Sequence, residues 1–217
     1  MDVEIQGRPA FAHMRVRMNP DDRIIAESDA MASMSTTIDM QTRFNGGFVG
    51  GVAKKFLGGE SLFVNEFVAG AQGELVLTQP TPGDIVCVEM TGNTLYLQPG
   101  AFIACETGVT LGVGFAGFAS FIGKEGLFRL KVGGQGRVWF GAYGGIFTRD
   151  IDGEYVVDTG HLVAYEPTLT VKVGMAGGLI TSMASGEGLI SRISGKGKIH
   201  LQSRSLDGLA SWANGYI

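Results

Sequence analysis

The chain has 217 residues, of which 45% are hydrophobic, 18% are charged and 35 are glycine, with a formal net charge of -4. So much apolar material with so little net charge excludes extended disorder and permits a sizeable core. The acidic balance offers no general attraction for phosphate and argues against a nucleic-acid partner.

Read from the start, the chain carries Asp2 and Glu4 ahead of Arg8 and lacks the basic start and apolar run of a signal peptide. The longest uncharged stretch, 107–123, is short for a membrane span and is broken by glycines. A soluble, cytoplasmic protein is the expectation. Short β-branched or alternating runs predict strands at 74–77, 84–88, 94–97 and 169–173, each bounded by Gly, Pro, Asn or Asp. Helix is expected only near 52–57 and 206–212. Cys87 and Cys105 each sit in an apolar strand-like run and are expected as two buried free thiols, with one disulfide as the alternative; neither has a C-x-x-C partner to hold a metal. Trp139 and Trp212 are expected to fill packing space.

Internal repetition is the strongest pattern. LGGESLFVNEFVAGAQGELVL (57–77), IGKEGLFRLKVGGQGRVWF (122–140) and ASGEGLISRISGKGKIHL (184–201) each place an acid shortly after glycine, then an apolar pair, then a glycine turn into an alternating strand. The anchoring acids are Glu60, Glu125 and Glu187. A second element, ESDAMASM (27–34), QPGAFIACE (98–106) and DTGHLVAYE (158–166), aligns on Asp29, Gly100 and Gly160, with Ser33, Ala104 and Ala164 four positions later. Between the two elements lie glycine-rich apolar loops at 46–56, 112–121 and 174–183. The reading is one all-β domain with repeats at about 18–80, 81–150 and 151–205 and a C-terminal tail at 206–217. Units of this length seldom bury a core alone, so three packed around a pseudo-threefold axis would give a β-prism or closed sandwich with little helix.

The strings GGESLF (58–63), PGDIV (82–86), AYG (142–144), VDTGHLVAYE (157–166), GEGLI (186–190) and LQSRS (201–205) occur in an order that resembles the mitochondrial biogenesis family known as altered inheritance of mitochondria, member twenty-four. The resemblance covers nearly the whole chain. It implies the all-β fold called TRAP-like, after the tryptophan RNA-binding attenuation protein, and for bacterial members a trimeric β-prism. Eukaryotic relatives are implied to act in organising the mitochondrial inner membrane. The resemblance implies no catalytic residue. The first twenty residues do not read as a mitochondrial presequence, so the chain resembles a prokaryotic member.

Several motifs invite chemistry. Asp158-Thr159-Gly160 matches the DTG of aspartic proteases, but the aligned positions hold Glu27-Ser28-Asp29 and Gln98-Pro99-Gly100, which fits a turn before a strand better than a catalytic carboxylate. Gly112-Val113-Gly114-Phe115-Ala116-Gly117 is a literal GxGxxG, yet Gly123 breaks the helix a dinucleotide site requires, so a loop is the better reading. His161, in a strand-like run near Asp158 and Glu166, has the residue types of a small pocket, although the spacing 158, 161, 166 mixes strand parities. Glu60, Glu125 and Glu187 could converge on a cation; repeated structural turns explain them more simply.

The expected interaction surface is the loop set carrying Phe48, Val52 and Phe56, then Phe115, Phe118 and Phe121, then Met175, Leu179 and Ile180. It would serve a subunit contact, a protein partner or a lipid surface, the alternative being that the loops fold inward as hairpin ends filling the core. The function read from sequence is a non-catalytic, homotrimeric β scaffold or binding module without a cofactor. The alternatives are a small-ligand site between repeats or subunits, and peripheral membrane association through the glycine-rich loops.

Overall fold

A computed structural model describes residues 1–44, 63–98, 100–115, 128–175 and 189–214. The described chain is all-β, with one C-terminal helix. In chain order the strands are β1 (Asp2–Gln6), β2 (His13–Met18), β3 (Arg23–Glu27), β4 (Met31–Met34), β5 (Ile38–Phe44), β6 (Phe63–Ala69), β7 (Gly73–Leu77), β8 (Ile85–Thr91), β9 (Leu95–Leu97), β10 (Phe102–Cys105), β11 (Val109–Phe115), β12 (Phe128–Gly141), β13 (Ile146–Asp158), β14 (Leu162–Tyr165), β15 (Leu169–Met175) and β16 (Leu189–Gln202). Helix α1 (Leu206–Asn214) follows.

The strands form two antiparallel sheets. One has four strands in the order β1-β2-β7-β4. The other has twelve, along the path β13-β16-β14-β9-β12-β10-β3-β6-β5, with β8 and β11 also on β12 and β15 also on β16. Alternation explains the smaller sheet. Met14, Val16 and Met18 of β2 are buried while Arg15 and Arg17 face outward. Across the ladder Met14 stands opposite Leu77 and Val16 opposite Leu75, both buried, so one face is a continuous apolar layer. Trp139, 1% exposed, joins this core from β12 as expected. Strands β10 and β14 do not alternate: all four residues of each are buried. Each is paired on both edges and covered on both faces, a setting in which a strand becomes uniformly apolar.

The three hairpins that flank the glycine-rich segments share a ladder. β5 pairs β6 from Ile38↔Ala69 to Phe44↔Phe63, β11 pairs β12 from Val109↔Gly134 to Phe115↔Phe128, and β15 pairs β16 from Leu169↔Gly195 to Met175↔Leu189. The expected strands at 74–77, 84–88, 94–97 and 169–173 match β7, β8, β9 and β15 to within a few residues.

Other expectations need correction. Residues 112–115 continue β11, so Gly112 and Gly114 are ladder residues opposite Lys131 and Arg129, not loop glycines. Gly174 and Met175 likewise end β15. His161 lies in a 3-10 turn, Thr159–His161, because the strand must turn a corner between β13 and β14. The expected helix at 206–212 is α1, which the Ser205 hydroxyl begins by accepting the Gly208 N–H at 3.1 Å. None of its residues is buried, and Trp212 is 64% exposed rather than filling a core. The expected helix near 52–57 lies outside the described residues. Among the described residues, no helix is long and apolar enough to cross a membrane.

Candidate functional site

Asp158, His161 and Glu166 were the residues read as a pocket, and the corner between β13 and β14 positions the first two. The Asp158 carboxylate accepts the Gly160 N–H at 2.9 Å, closing an Asx turn. The His161 Nδ1 lies 2.7 Å from the Gln202 carbonyl oxygen. A carbonyl only accepts, so Nδ1 carries the proton. Gln202 returns the contact: its side-chain amide donates to the Gly160 carbonyl at 2.7 Å, and its Oε1 accepts the Tyr143 N–H at 3.0 Å. The Thr159 hydroxyl donates to the Leu189 carbonyl at 2.7 Å. Together these bonds fasten the corner to both ends of β16.

Glu166 stands at the other end of β14, where its carboxylate accepts the Lys198 N–H at 2.9 Å. The three residues therefore work on backbone groups at two ends of one short strand. These bonds satisfy backbone groups of the corner and of β16.

Three further polar assemblies went unseen in the sequence. Glu106, just after β10, accepts from the Arg137 N–H at 2.8 Å, from Nε at 2.9 Å and from Nη2 at 2.6 Å. Burial opposes its ionisation, but the Arg137 bonds outweigh that and hold its carboxyl below the usual glutamate range. The guanidinium also lies 5.2 Å from the Trp139 ring centre. The shared last residue of QPGAFIACE and DTGHLVAYE was the available signal, since Glu106 and Glu166 occupy that place.

Arg8 clasps Asp84 through Nε at 2.7 Å and Nη2 at 2.9 Å; Asp84 is buried and also accepts the Ile85 N–H at 2.9 Å. The Asp84 hydrogen bonds raise the Arg8 pKa. This fork ties the segment after β1 to the start of β8.

Arg129 donates to the Tyr165 hydroxyl and lies 4.7 Å from that ring's centre, while Tyr96 packs tilted on Tyr165 at 5.2 Å. Burial first, against the pull of Arg129, pushes the Tyr165 pKa up. Nearby His200 is buried, edge-on to Phe140 at 5.2 Å and bonded to the Thr148 hydroxyl at 3.1 Å. Burial, then Lys198, pushes its pKa down, with Glu166 opposing.

Among the described residues no three His, Cys, Asp or Glu side chains group to hold a metal ion. Glu60, Glu125 and Glu187 lie outside the described residues, as do Phe48, Val52, Phe56, Phe118, Phe121, Leu179 and Ile180; Phe115 and Met175 contribute strand backbone. Both cysteines are free, but only Cys105 is buried; Cys87 is exposed, correcting the pair of buried thiols.

The family model described as "Mitochondrial biogenesis AIM24" matches residues 3–204. An uncharacterised protein of Streptococcus pyogenes serotype M6 is 26% identical over 226 residues, spanning 100% of this chain and 91% of the relative. A crystal structure of a Streptococcus pyogenes protein shares the fold, with a TM-score of 0.80 at 24% identity over 100% of this chain and 99% of that one.

Proposed function

The chain belongs to the AIM24 family, described by mitochondrial biogenesis, and from that premise we propose that it is a non-catalytic, homo-oligomeric β scaffold or binding module. Its architecture on this reading is three related β units in series, and its first partner is another copy of itself.

One observation carries the reading: a single pairing scheme recurs three times. β4 pairs β7, β10 pairs β12 and β14 pairs β16, each with an irregularity two residues wide, at Met31/Ser33, Phe102/Ala104 and Leu162/Ala164. Ser33, Ala104 and Ala164, the small residues aligned in the sequence, stand opposite Val76, Trp139 and His200. Just beyond each strand, the side chain of Ser35, Glu106 or Glu166 accepts a backbone N–H from Glu74, Arg137 or Lys198. Recurrence of this kind favours units that pack on one another over a site made once. The described polar clusters add support, because their side chains bond to one another and to backbone groups of the chain.

Native mass spectrometry of the purified protein tests the proposal. A species at three times the monomer mass with no added mass is the expected result. A monomer at every concentration, or a reproducible small adduct, would overturn it in favour of a ligand-binding protein.

A further inference from the structure

Two junctions of the same design hold the sheet together, and among the described residues the edges for a third have no partner strand. Strand β10 pairs on its outer side with β3, with Ala104 opposite Ala26 and Cys105 opposite Ile25. Strand β14 pairs on its outer side with β9, with Ala164 opposite Leu97 and Tyr165 opposite Tyr96. Both junctions are antiparallel. Among the described residues the remaining strand of this type, β4, is one edge of the four-stranded sheet, and β13 is an edge of the twelve-stranded sheet.

The C-terminal half of β13 holds the place of β3 and β9. Ile25 faces Glu66, Tyr96 faces Lys131 and Val156 faces Arg192, each three residues before the glycine or alanine that begins its hairpin ladder.

Burial follows this pairing. All of β10 and β14 is buried, whereas Ala32, Ser33 and Met34 of β4 are exposed. Met34 is 36% exposed, where its counterparts Cys105 and Tyr165 are 0% and 9%. Val156 is 49% exposed, where Ile25 and Tyr96 are half-buried.

Edge strands that stay solvated are normally guarded by charge, proline or a bulge. The first half of β13 is guarded in this way by Arg149, Asp150, Asp152 and Glu154. Its second half runs Tyr155-Val156-Val157, with Val157 buried and the Arg149 guanidinium 4.3 Å from the Tyr155 ring centre, and β4 runs Met31-Ala32-Ser33-Met34; neither segment itself carries a charge. These two edges are complements by the rule that the chain already applies twice.

We propose that a second copy of this chain forms the third junction. Strand β4 of one copy lies antiparallel on the C-terminal half of β13 of the next, with Met34 opposite Val156 and Ser33 opposite Val157. The inference rests on the homo-oligomeric reading above and adds its surface and register. The two patches differ, so the contact is head-to-tail and closes as a ring or extends as a filament. Each existing junction is two residue pairs long, so the association depends on protein concentration.

The experiment uses Met34→Cys and Val156→Cys, each in a Cys87→Ser background, joined with a short bismaleimide. Both positions are exposed, so the variants retain the fold. The mixture is expected to give a covalent dimer, and neither variant alone to give one; the double variant is expected to give a ladder of multiples. Cross-linking within single chains of the double variant, with no ladder, would overturn the proposal, because the edges would then meet in one molecule. Light scattering on the unaltered protein separates the two readings. Multimers without the mixed cross-link would sink this junction and leave the oligomer standing, whereas a monomer at all concentrations would sink both.

Discussion

Glu106 grips Arg137 at both the backbone and the side chain, accepting its N–H at 2.8 Å and its guanidinium at 2.6 and 2.9 Å. The carboxylate crosses the bend of β12 at Gly136, whose φ is +120°. One acid thereby fixes the turn after β10 and the point where β12 passes from β11 to β8 as its partner.

Replacing Glu106 with Ala is expected to destabilise the fold by about 1.5–3 kcal/mol, the range for hydrogen bonds to charged groups. Glu106→Gln keeps an acceptor for the N–H and should lose roughly half as much. The folded carboxyl titrates below its unfolded value, so its contribution is present above that value and lost as pH falls through the folded one. Urea unfolding should therefore separate wild type and Glu106→Gln at neutral pH and bring them together in strong acid.

His200 adds a pH dependence of its own. Burial holds its pKa below the ordinary value of about 6.5. The unfolded chain then binds the proton more readily, so stability is full above about 6.5 and declines as pH falls from there to the lower folded value. Thermal unfolding between pH 5 and 7.5 should show this decline. In His200→Gln, which keeps a partner for Thr148, that part of the slope should vanish; an unchanged slope would assign it to other groups.

The two thiols should differ sharply in reactivity. Burial pushes Cys105 up to about 12, leaving it neutral and enclosed. Cys87 is exposed, and partial desolvation raises its pKa despite nearby Arg137. A thiol reagent at pH 8 is expected to modify one cysteine per folded chain, Cys87, and both in denaturant. Two equivalents consumed by the folded protein would contradict the burial of Cys105.

Two glycines allow a matched test of backbone strain. Gly92 and Gly134 both have positive φ, +95° and +82°. A Cβ at Gly92 would meet nothing within 4 Å, whereas one at Gly134 would lie 2.4 Å from the Gly108 carbonyl oxygen. Gly92→Ala should cost about 1–2 kcal/mol from conformation alone. Gly134→Ala should cost clearly more, because β11 and β12 must also separate there. Equal midpoints in urea would refute the steric part.

Much of the strand layout is legible in the chain because alternation is a local signal. Met14-Arg15-Val16-Arg17-Met18 states which face is buried without reference to any partner. Turn chemistry is equally local: Asp158 ahead of Thr159-Gly160 reads as a turn, and it closes one. His161 and Trp212 were misplaced because neither the 3-10 corner nor the exposed face of α1 is encoded by periodicity over a few residues.

The sequence by itself determined an all-β chain, several of its strand positions and a short C-terminal helix, since each depends on side chains a few positions apart. Tertiary structure alone decided what those strands adjoin. Glu106 meets Arg137 across 31 positions, His161 meets Gln202 across 41 and Thr148 meets His200 across 52. Which edges are covered and which stay open follows from those long-range pairings. A strand's own residues specify its faces, but its neighbours arise from the order in which the whole sheet satisfies its backbone hydrogen bonds.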